Sequence, residues 1–240
     1  MTTSRFQKPL RFLQNRLSPQ GYAGLHLTVG VLVVLICGWC FGEIAEDVFH
    51  GDPIVQVDRQ VAVSFHQHAS PTITRVARTI SFFGSVEWLT AASIAVALFL
   101  VSRRDWLNSP QFAFLIVGGA ALNVVLKHFF HRERPVLENP LVTLSSYGFP
   151  SGHTMGATLF YGFLALLAWK NVRNRAARVA CVMGTCLGVL LIGLTRIYLG
   201  AHYLTDVLGA LAAGVCWLVF CWTAFETLRR RRGSTRHLNL

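Results

Sequence analysis

Long apolar runs separated by short polar connections set the plan of this chain. A helix needs about 20 mostly apolar residues to cross the hydrocarbon of a bilayer. Six stretches reach or approach that length: Leu25–Ile44, Phe82–Val101, Phe112–Phe130, His153–Trp169, Ala176–Ile197 and Leu204–Phe225. They are continuous and rich in Leu, Ala and Gly, without the alternation of a lipid-facing strand, so helices fit them and barrel strands do not. The expected fold class is all-α, a polytopic membrane protein with six transmembrane helices. The first run follows a basic segment and lacks a small-residue cleavage site, which reads as an uncleaved anchor.

A different period governs residues 45–81. Apolar side chains recur at Ile54, Val57, Val61 and Phe65, then at Ile73, Val76, Ile80 and Phe83. Asp52-Pro53 and Ser70-Pro71 each offer an N-cap followed by proline at the first helical position. Two short amphipathic helices on the outer surface satisfy the pattern, packed on the bundle or the headgroups, or guiding lipid.

Composition removes the competing classes. Of the 240 residues, 53% are hydrophobic and 14% charged, with a mean hydropathy of +0.47; a soluble domain or a disordered chain is excluded. A formal charge of +11 would point to nucleic acid in a soluble protein, but here the cations lie between apolar runs and membrane topology accounts for them. Arg5, Lys8, Arg11, Arg16, then Arg103 and Arg104, then Lys170, Arg173, Arg175 and Arg178, then Arg229–Arg232 and Arg236 occupy alternate connections. The positive-inside rule places these, and both termini, in the cytoplasm. The expectation is one membrane-embedded domain, 1–240, with a basic N-terminus (1–24), an outer amphipathic segment (45–81) and a basic tail (226–240) that anchors to anionic headgroups. The six Cys lie inside the apolar runs and read as buried thiols.

Three polar clusters remain, all on the outer side. Lys127, His128, His131, Arg132 and Arg134 close the third run, Pro150-Ser151-Gly152-His153 opens the fourth, and Arg196, His202 and Asp206 straddle the turn from fifth to sixth. Singly, each has a structural reading as a snorkelling cation, a cap or a surface pair. Helices that alternate direction bring all of them to one face. The excess of cations favours an anion and disfavours a divalent metal. Arg and Lys side chains and the N–H groups of a helix start suit phosphate oxygens. If residues 202–206 are helical, Asp206 accepts Nδ1–H of His202 and leaves Nε2 aimed at phosphorus, while His153 is placed to protonate a departing oxygen.

Lys127 with Arg134-Pro135, Pro150-Ser151-Gly152-His153, and Thr195-Arg196 with His202 and Asp206 resemble the three signature motifs of the type 2 phosphatidic acid phosphatase superfamily. The motifs span 127–206. The resemblance implies that Lys127, Arg134, Arg196, Ser151 and the Gly152 amide bind phosphate, that His153 is the acid, that His202 forms a phosphohistidine and that Asp206 orients it. Thr195 departs from the usual Ser. Residues 1–126 carry no such signature. The expected activity is metal- and cofactor-independent hydrolysis of a lipid phosphate or diphosphate, with undecaprenyl diphosphate first and phosphatidylglycerophosphate and phosphatidic acid close behind. The expected place is the outer, periplasmic face of a bacterial inner membrane, and the expected partners are substrate and membrane lipids, with no nucleic acid. A lipid phosphotransferase or an anion transporter stays open, and His128, His131 or Arg132 is a candidate for a second phosphate.

Overall fold

The computed structural model describes residues 24–238 except 52, 139 and 143, and side chains only as far as residue 232. The basic N-terminus, the capping role of Asp52 and the end of the tail therefore lie outside the described residues. The described chain forms helices only: α1 (Leu25–His50), α2 (Pro53–Gln67), α3 (Pro71–Phe82), α4 (Val86–Ser102), α5 (Asn108–Phe130), α6 (Gly152–Asn171), α7 (Arg175–Tyr198) and α8 (Leu204–Leu238).

Local signals set most boundaries. Ser70 Oγ accepts from the Ile73 N–H at 3.3 Å ahead of Pro71, and Ser85 Oγ accepts from the Trp88 N–H at 3.2 Å at the start of α4. Asn174 Oδ1 takes the Ala176 and Ala177 N–H groups at the start of α7. Helix α1 continues past the expected Ile44 to His50 and stops at Gly51, whose φ of 75° is the left-handed cap conformation.

The molecule is an integral membrane protein, and its outer surface reverses the soluble pattern. Leu35, Trp39, Leu98, Val117, Val125, Met183 and Leu187 are exposed, as lipid-facing side chains are. Among the described residues, five stretches are long and apolar enough to cross a membrane: Leu25–His50, Pro71–Ser102, Asn108–Phe130, Arg175–Tyr198 and Leu204–Arg232. The remaining expected span corresponds to α6, which runs through the interior against α4, α5, α7 and α8. Met155, Ala157, Leu159, Phe160 and Phe163 are buried there beside the polar Thr154 and Thr158. A helix shielded by its neighbours can carry polar groups that a lipid-facing one cannot. Helix α1 packs chiefly along α8.

The amphipathic segment forms the two expected helices, and its apolar positions divide: Phe65 and Ile80 pack inward on the core, while others face out. Val57, Ile73, Val76 and Phe83 are exposed, whereas Asp58, Ala62, Ala77 and Ser81 are buried. Small and polar side chains thus share the face that packs on α7 and α8 with Phe65 and Ile80. At the opposite end of the bundle, Lys170 Nζ meets Glu226 at 2.7 Å, Arg229 reaches Asn108 and Gln111 at 2.8 Å each, and His26 bonds Thr227 at 3.3 Å. These contacts join α1, α5, α6 and α8 at the basic end.

The turn between α3 and α4 depends on Gly84. A Cβ there would lie 2.6 Å from Ile192 Cγ2 and 3.3 Å from the His153 carbonyl oxygen, so the turn sits against the α6 backbone and an α7 side chain. Gly84→Val is expected to lower both the thermal midpoint in detergent and the turnover rate. Gly188→Ala, on an α7 surface with nothing within 4 Å, should be neutral or stabilise by up to about 1 kcal/mol. Differential scanning fluorimetry with an activity assay checks the pair.

Candidate active site

Helix alternation carries the three polar clusters to one end of the bundle. Lys127 sits in the last turn of α5, residues 131–151 cross over irregularly, Ser151 caps α6, Arg196 lies in the last turn of α7, and His202 precedes α8. All eight expected site residues, Lys127, Arg134, Ser151, Gly152, His153, Arg196, His202 and Asp206, meet there.

The geometry centres on His202. Its Nδ1 is 3.3 Å from Asp206 Oδ2, and its Nε2 is 3.2 Å from Arg134 Nη1. A guanidinium can only donate, so Nε2 accepts and the ring proton stays on Nδ1, donated to Asp206. His202 and Asp206 are fully buried. The Asp206 carboxylate also accepts from the Tyr203 N–H at 2.9 Å and from Arg132 Nη1 at 2.5 Å. Burial is the largest influence on the imidazole. It outweighs Asp206, and with Arg134 and Arg196 it pushes the His202 pKa down to about 4.

Three cations surround the ring. Arg134 donates to the carbonyls of Ser146 and Ala201 at 2.6 Å each and to that of Tyr147 at 3.2 Å. Burial lowers its pKa from the ordinary arginine value. Lys127 Nζ donates to the same Tyr147 carbonyl at 2.6 Å. Arg196, 4% exposed, donates through Nη1 to Ser81 Oγ at 2.7 Å, and its buried Nε has no partner among the described residues. His153 lies within electrostatic range of Arg196, His202, Arg134 and Lys127.

The helix start completes the cup. Ser151 makes no side-chain cap bond; its own N–H donates to the Asp206 carbonyl at 3.0 Å and its hydroxyl accepts from Thr154 at 3.1 Å. A Cβ on Gly152 would lie 3.9 Å from Lys127 Cε and 3.3 Å from Asn123 Oδ1, so the α6 terminus and the lysine close on the same space. Among the described residues no group of three or more His, Cys, Asp and Glu side chains could hold a metal ion. The donors present are N–H groups and cations, the set that suits a tetrahedral oxyanion.

Some expected residues stand elsewhere. Arg132, a candidate for a second phosphate, is committed to carboxylates, with Nη2 on Asp58 at 2.7 Å and Nη1 on Asp206. His128 turns back to the Val124 carbonyl and His131 lies edge-on to Tyr147. Thr195 donates to the Ile192 carbonyl of its own helix at 2.6 Å, so its hydroxyl is engaged within α7. Asp58, Ser81, Thr205 and the Tyr147 carbonyl belong to the site and were not foreseen. The available signal was Asp58, the one acid in α2.

A sequence model of the PAP2 superfamily matches residues 110–230, the stretch that holds every one of these eight residues. The chain belongs to the PAP2 superfamily. Within it, phosphatidylglycerophosphatase B of Bacillus subtilis is 29% identical over 187 residues, 76% of this chain and 89% of that protein. Decaprenylphosphoryl-5-phosphoribose phosphatase of Mycolicibacterium smegmatis is 31% identical over 166 residues, 67% of this chain and 82% of that one. The crystal structure of a transmembrane PAP2 type phosphatidylglycerolphosphate phosphatase from Bacillus subtilis superposes with a TM-score of 0.73 at 24% identity, covering 79% of this chain and 94% of that one. The PAP2 fold thus extends over helices that precede the matched stretch.

The depressed His202 pKa has a consequence for stability. In the unfolded chain a histidine takes up its proton near pH 6.5, whereas in the fold His202 stays neutral down to about 4. The stabilisation present above pH 6.5 is therefore lost as pH falls through that window. Thermal melts in detergent should show Tm falling from pH 6.5 to pH 4, and His202→Gln should flatten the slope. An identical slope in the variant would contradict the assignment.

Proposed function

We propose that this protein, a phosphatase of lipid phosphates, works through a phosphohistidine on His202. The observation that carries the reading is the double engagement of His202, whose Nδ1–H is held by Asp206 while Nε2 faces the cations. A phosphate entering the cup replaces the Ser146, Tyr147 and Ala201 carbonyls as acceptor for Arg134 and the Tyr147 carbonyl for Lys127. That exchange removes the Arg134 N–H from Nε2 and frees its lone pair.

Nε2 then attacks phosphorus in line with the leaving oxygen. The N–P bond forms, the P–O bond to the lipid breaks, and the departing oxygen takes its proton from His153. Asp206 stabilises the positive charge that appears on the imidazole, and Lys127, Arg134 and Arg196 with the Gly152 N–H compensate the equatorial oxygens. Water attacks the phosphohistidine, its proton passes to His153, and inorganic phosphate leaves with Nε2 restored. Hydrolysis, as opposed to transfer to a second lipid, is the simpler reading because the relatives are named as phosphatases.

The substrate belongs to the lipid phosphates. Phosphatidylglycerophosphate stands ahead of the expected undecaprenyl diphosphate, since the relative matched over 76% of the chain is named for the former. Six spans, with α6 enclosed by α4, α5, α7 and α8, cytoplasmic basic ends and a cup open to the periplasm of a bacterial inner membrane complete the proposal.

His202→Ala should abolish phosphate release while leaving the protein folded, as a cooperative melt in detergent checks. Asp206→Asn should lower kcat by a factor on the order of 10² to 10⁴, the cost of misorienting a catalytic histidine. Purified protein is assayed in detergent with phosphatidylglycerophosphate, phosphatidic acid and undecaprenyl diphosphate, with and without chelator. Near wild-type turnover in either variant would remove His202 or Asp206 from its role.

A further inference from the structure

The two helices of the outer hairpin send one polar side chain each into the site: Ser81 of α3 to Arg196, and Asp58 of α2 to the far side of Asp206. Asp58 is the more telling of the two. It is 1% exposed, and an acid buried so completely must be neutralised and hydrogen-bonded to be tolerated. Its Oδ2 accepts from Arg132 Nη2 at 2.7 Å and from Thr205 Oγ1 at 2.5 Å, and its Oδ1 from the Thr205 N–H at 3.0 Å. Arg132 Nη1 spans to Asp206 Oδ1 at 2.5 Å and to Thr205 Oγ1 at 2.6 Å, while the guanidinium lies 4.7 Å from the centre of the Tyr203 ring.

The chain of contacts is therefore Asp58, Arg132, Asp206, His202. We propose that Asp58 is a positioning residue for the reaction at His202: it holds one arm of Arg132, so that the other arm orients Asp206 without cancelling its charge. The two acids and one guanidinium together carry a net charge of minus one toward the imidazole. Were Arg132 paired with Asp206 alone, the pair would be neutral and the imidazolium formed during phosphoryl transfer would lose its counter-charge. The bond from Asp58 to the Thr205 N–H also fixes the first turn of α8, on which Asp206 stands.

This inference rests on His202 as nucleophile, and its test separates the two ideas. His202 is faced by Asp206 from α8, Arg134 from the crossing segment, Arg196 from α7 and His153 from α6. Behind these stand Lys127 of α5 and, through Arg132, Asp58 of α2. Removing Asp58's charge should make the imidazole harder to protonate, and removing Arg132's should make it easier. The two variants are therefore expected to move the acid limb of kcat/KM in opposite directions.

The variants are Asp58→Asn and Arg132→Gln, purified in detergent and assayed across pH on a lipid phosphate that wild type hydrolyses. Asp58→Asn should lower kcat about tenfold or more with KM nearly unchanged, and shift the acid limb to lower pH by about half a unit. Arg132→Gln should shift it to higher pH. Limbs that stay put, or that move the same way in both, overturn the proposal and make Asp58 a residue of folding alone. Should Asp58→Asn not fold, Arg132→Gln decides by itself: a raised limb supports the proposal and an unmoved one ends it. Wild-type turnover persisting in His202→Ala removes the phosphohistidine reading and this inference with it. Loss of turnover in His202→Ala with immobile limbs in the other two removes only the role of Asp58.

Discussion

One buried carboxylate organises this end of the molecule. Asp206 has no exposed surface, and leaving such a charge unpaired costs several kcal/mol. Its oxygens are met by His202 and the Tyr203 N–H on one side and by Arg132 on the other. These partners come from two stretches, so satisfying one acid ties the start of α8 to the α7–α8 turn and to the crossing segment. Arg132 brings a second arm that requires its own acceptor, and Asp58 of α2 supplies it. Even the missing side chain at Gly148 follows, since a Cβ there would lie 3.2 Å from Asp206 Oδ2.

Partner type divides the cations of the site into two kinds. Arg132 is matched by carboxylates and its charge is spent inside the framework. Lys127, Arg134 and Arg196 rest on neutral acceptors, the carbonyls of Ser146, Tyr147 and Ala201 and the hydroxyl of Ser81. A neutral acceptor satisfies a donor's geometry and leaves its charge uncompensated. The cup thus keeps a positive field suited to an anion, to which a charge-assisted contact would replace a weaker one.

The same distinction explains what the sequence could reveal. Lys127, Arg134, the Ser151-Gly152-His153 turn and the Arg196, His202 and Asp206 set were legible because fixed spacings and alternating helices force them to one face. The separate fates of Arg132 and Arg134 were not, since two arginines two apart in an irregular segment carry no mark of which will meet an acid. Asp58 was hidden for a further reason. Reading the outer hairpin as amphipathic identified its helices but left open whether their apolar side meets the bundle or the headgroups. Several apolar groups face out in the fold, and an acid among small residues is then the sign of the packed face. Helix α6 illustrates the rule again, for enclosure lets Thr154 and Thr158 replace apolar residues and weakens the signature of a span.

The surroundings of the cup bear on the kind of phosphate it takes. Segment 132–137 separates two open cavities of about 490 and 480 Å³, one toward α2 and one toward residues 140–147. Arg134 reaches inward from this segment to His202, whereas Val136, two residues on, is 91% exposed, with Leu137 beside it on both cavities. A water-soluble phosphate ester gains nothing from an apolar rim next to a cationic floor. An amphiphile gains from both, because its headgroup charge meets the arginine while its chain stays against Val136, Leu137 and the apolar side chains of α2. Holding that chain in the apolar phase would also limit the headgroup to small excursions from the cup and raise its effective concentration there. The arrangement favours lipid over free phosphate esters by placement alone, without a further contact to the headgroup.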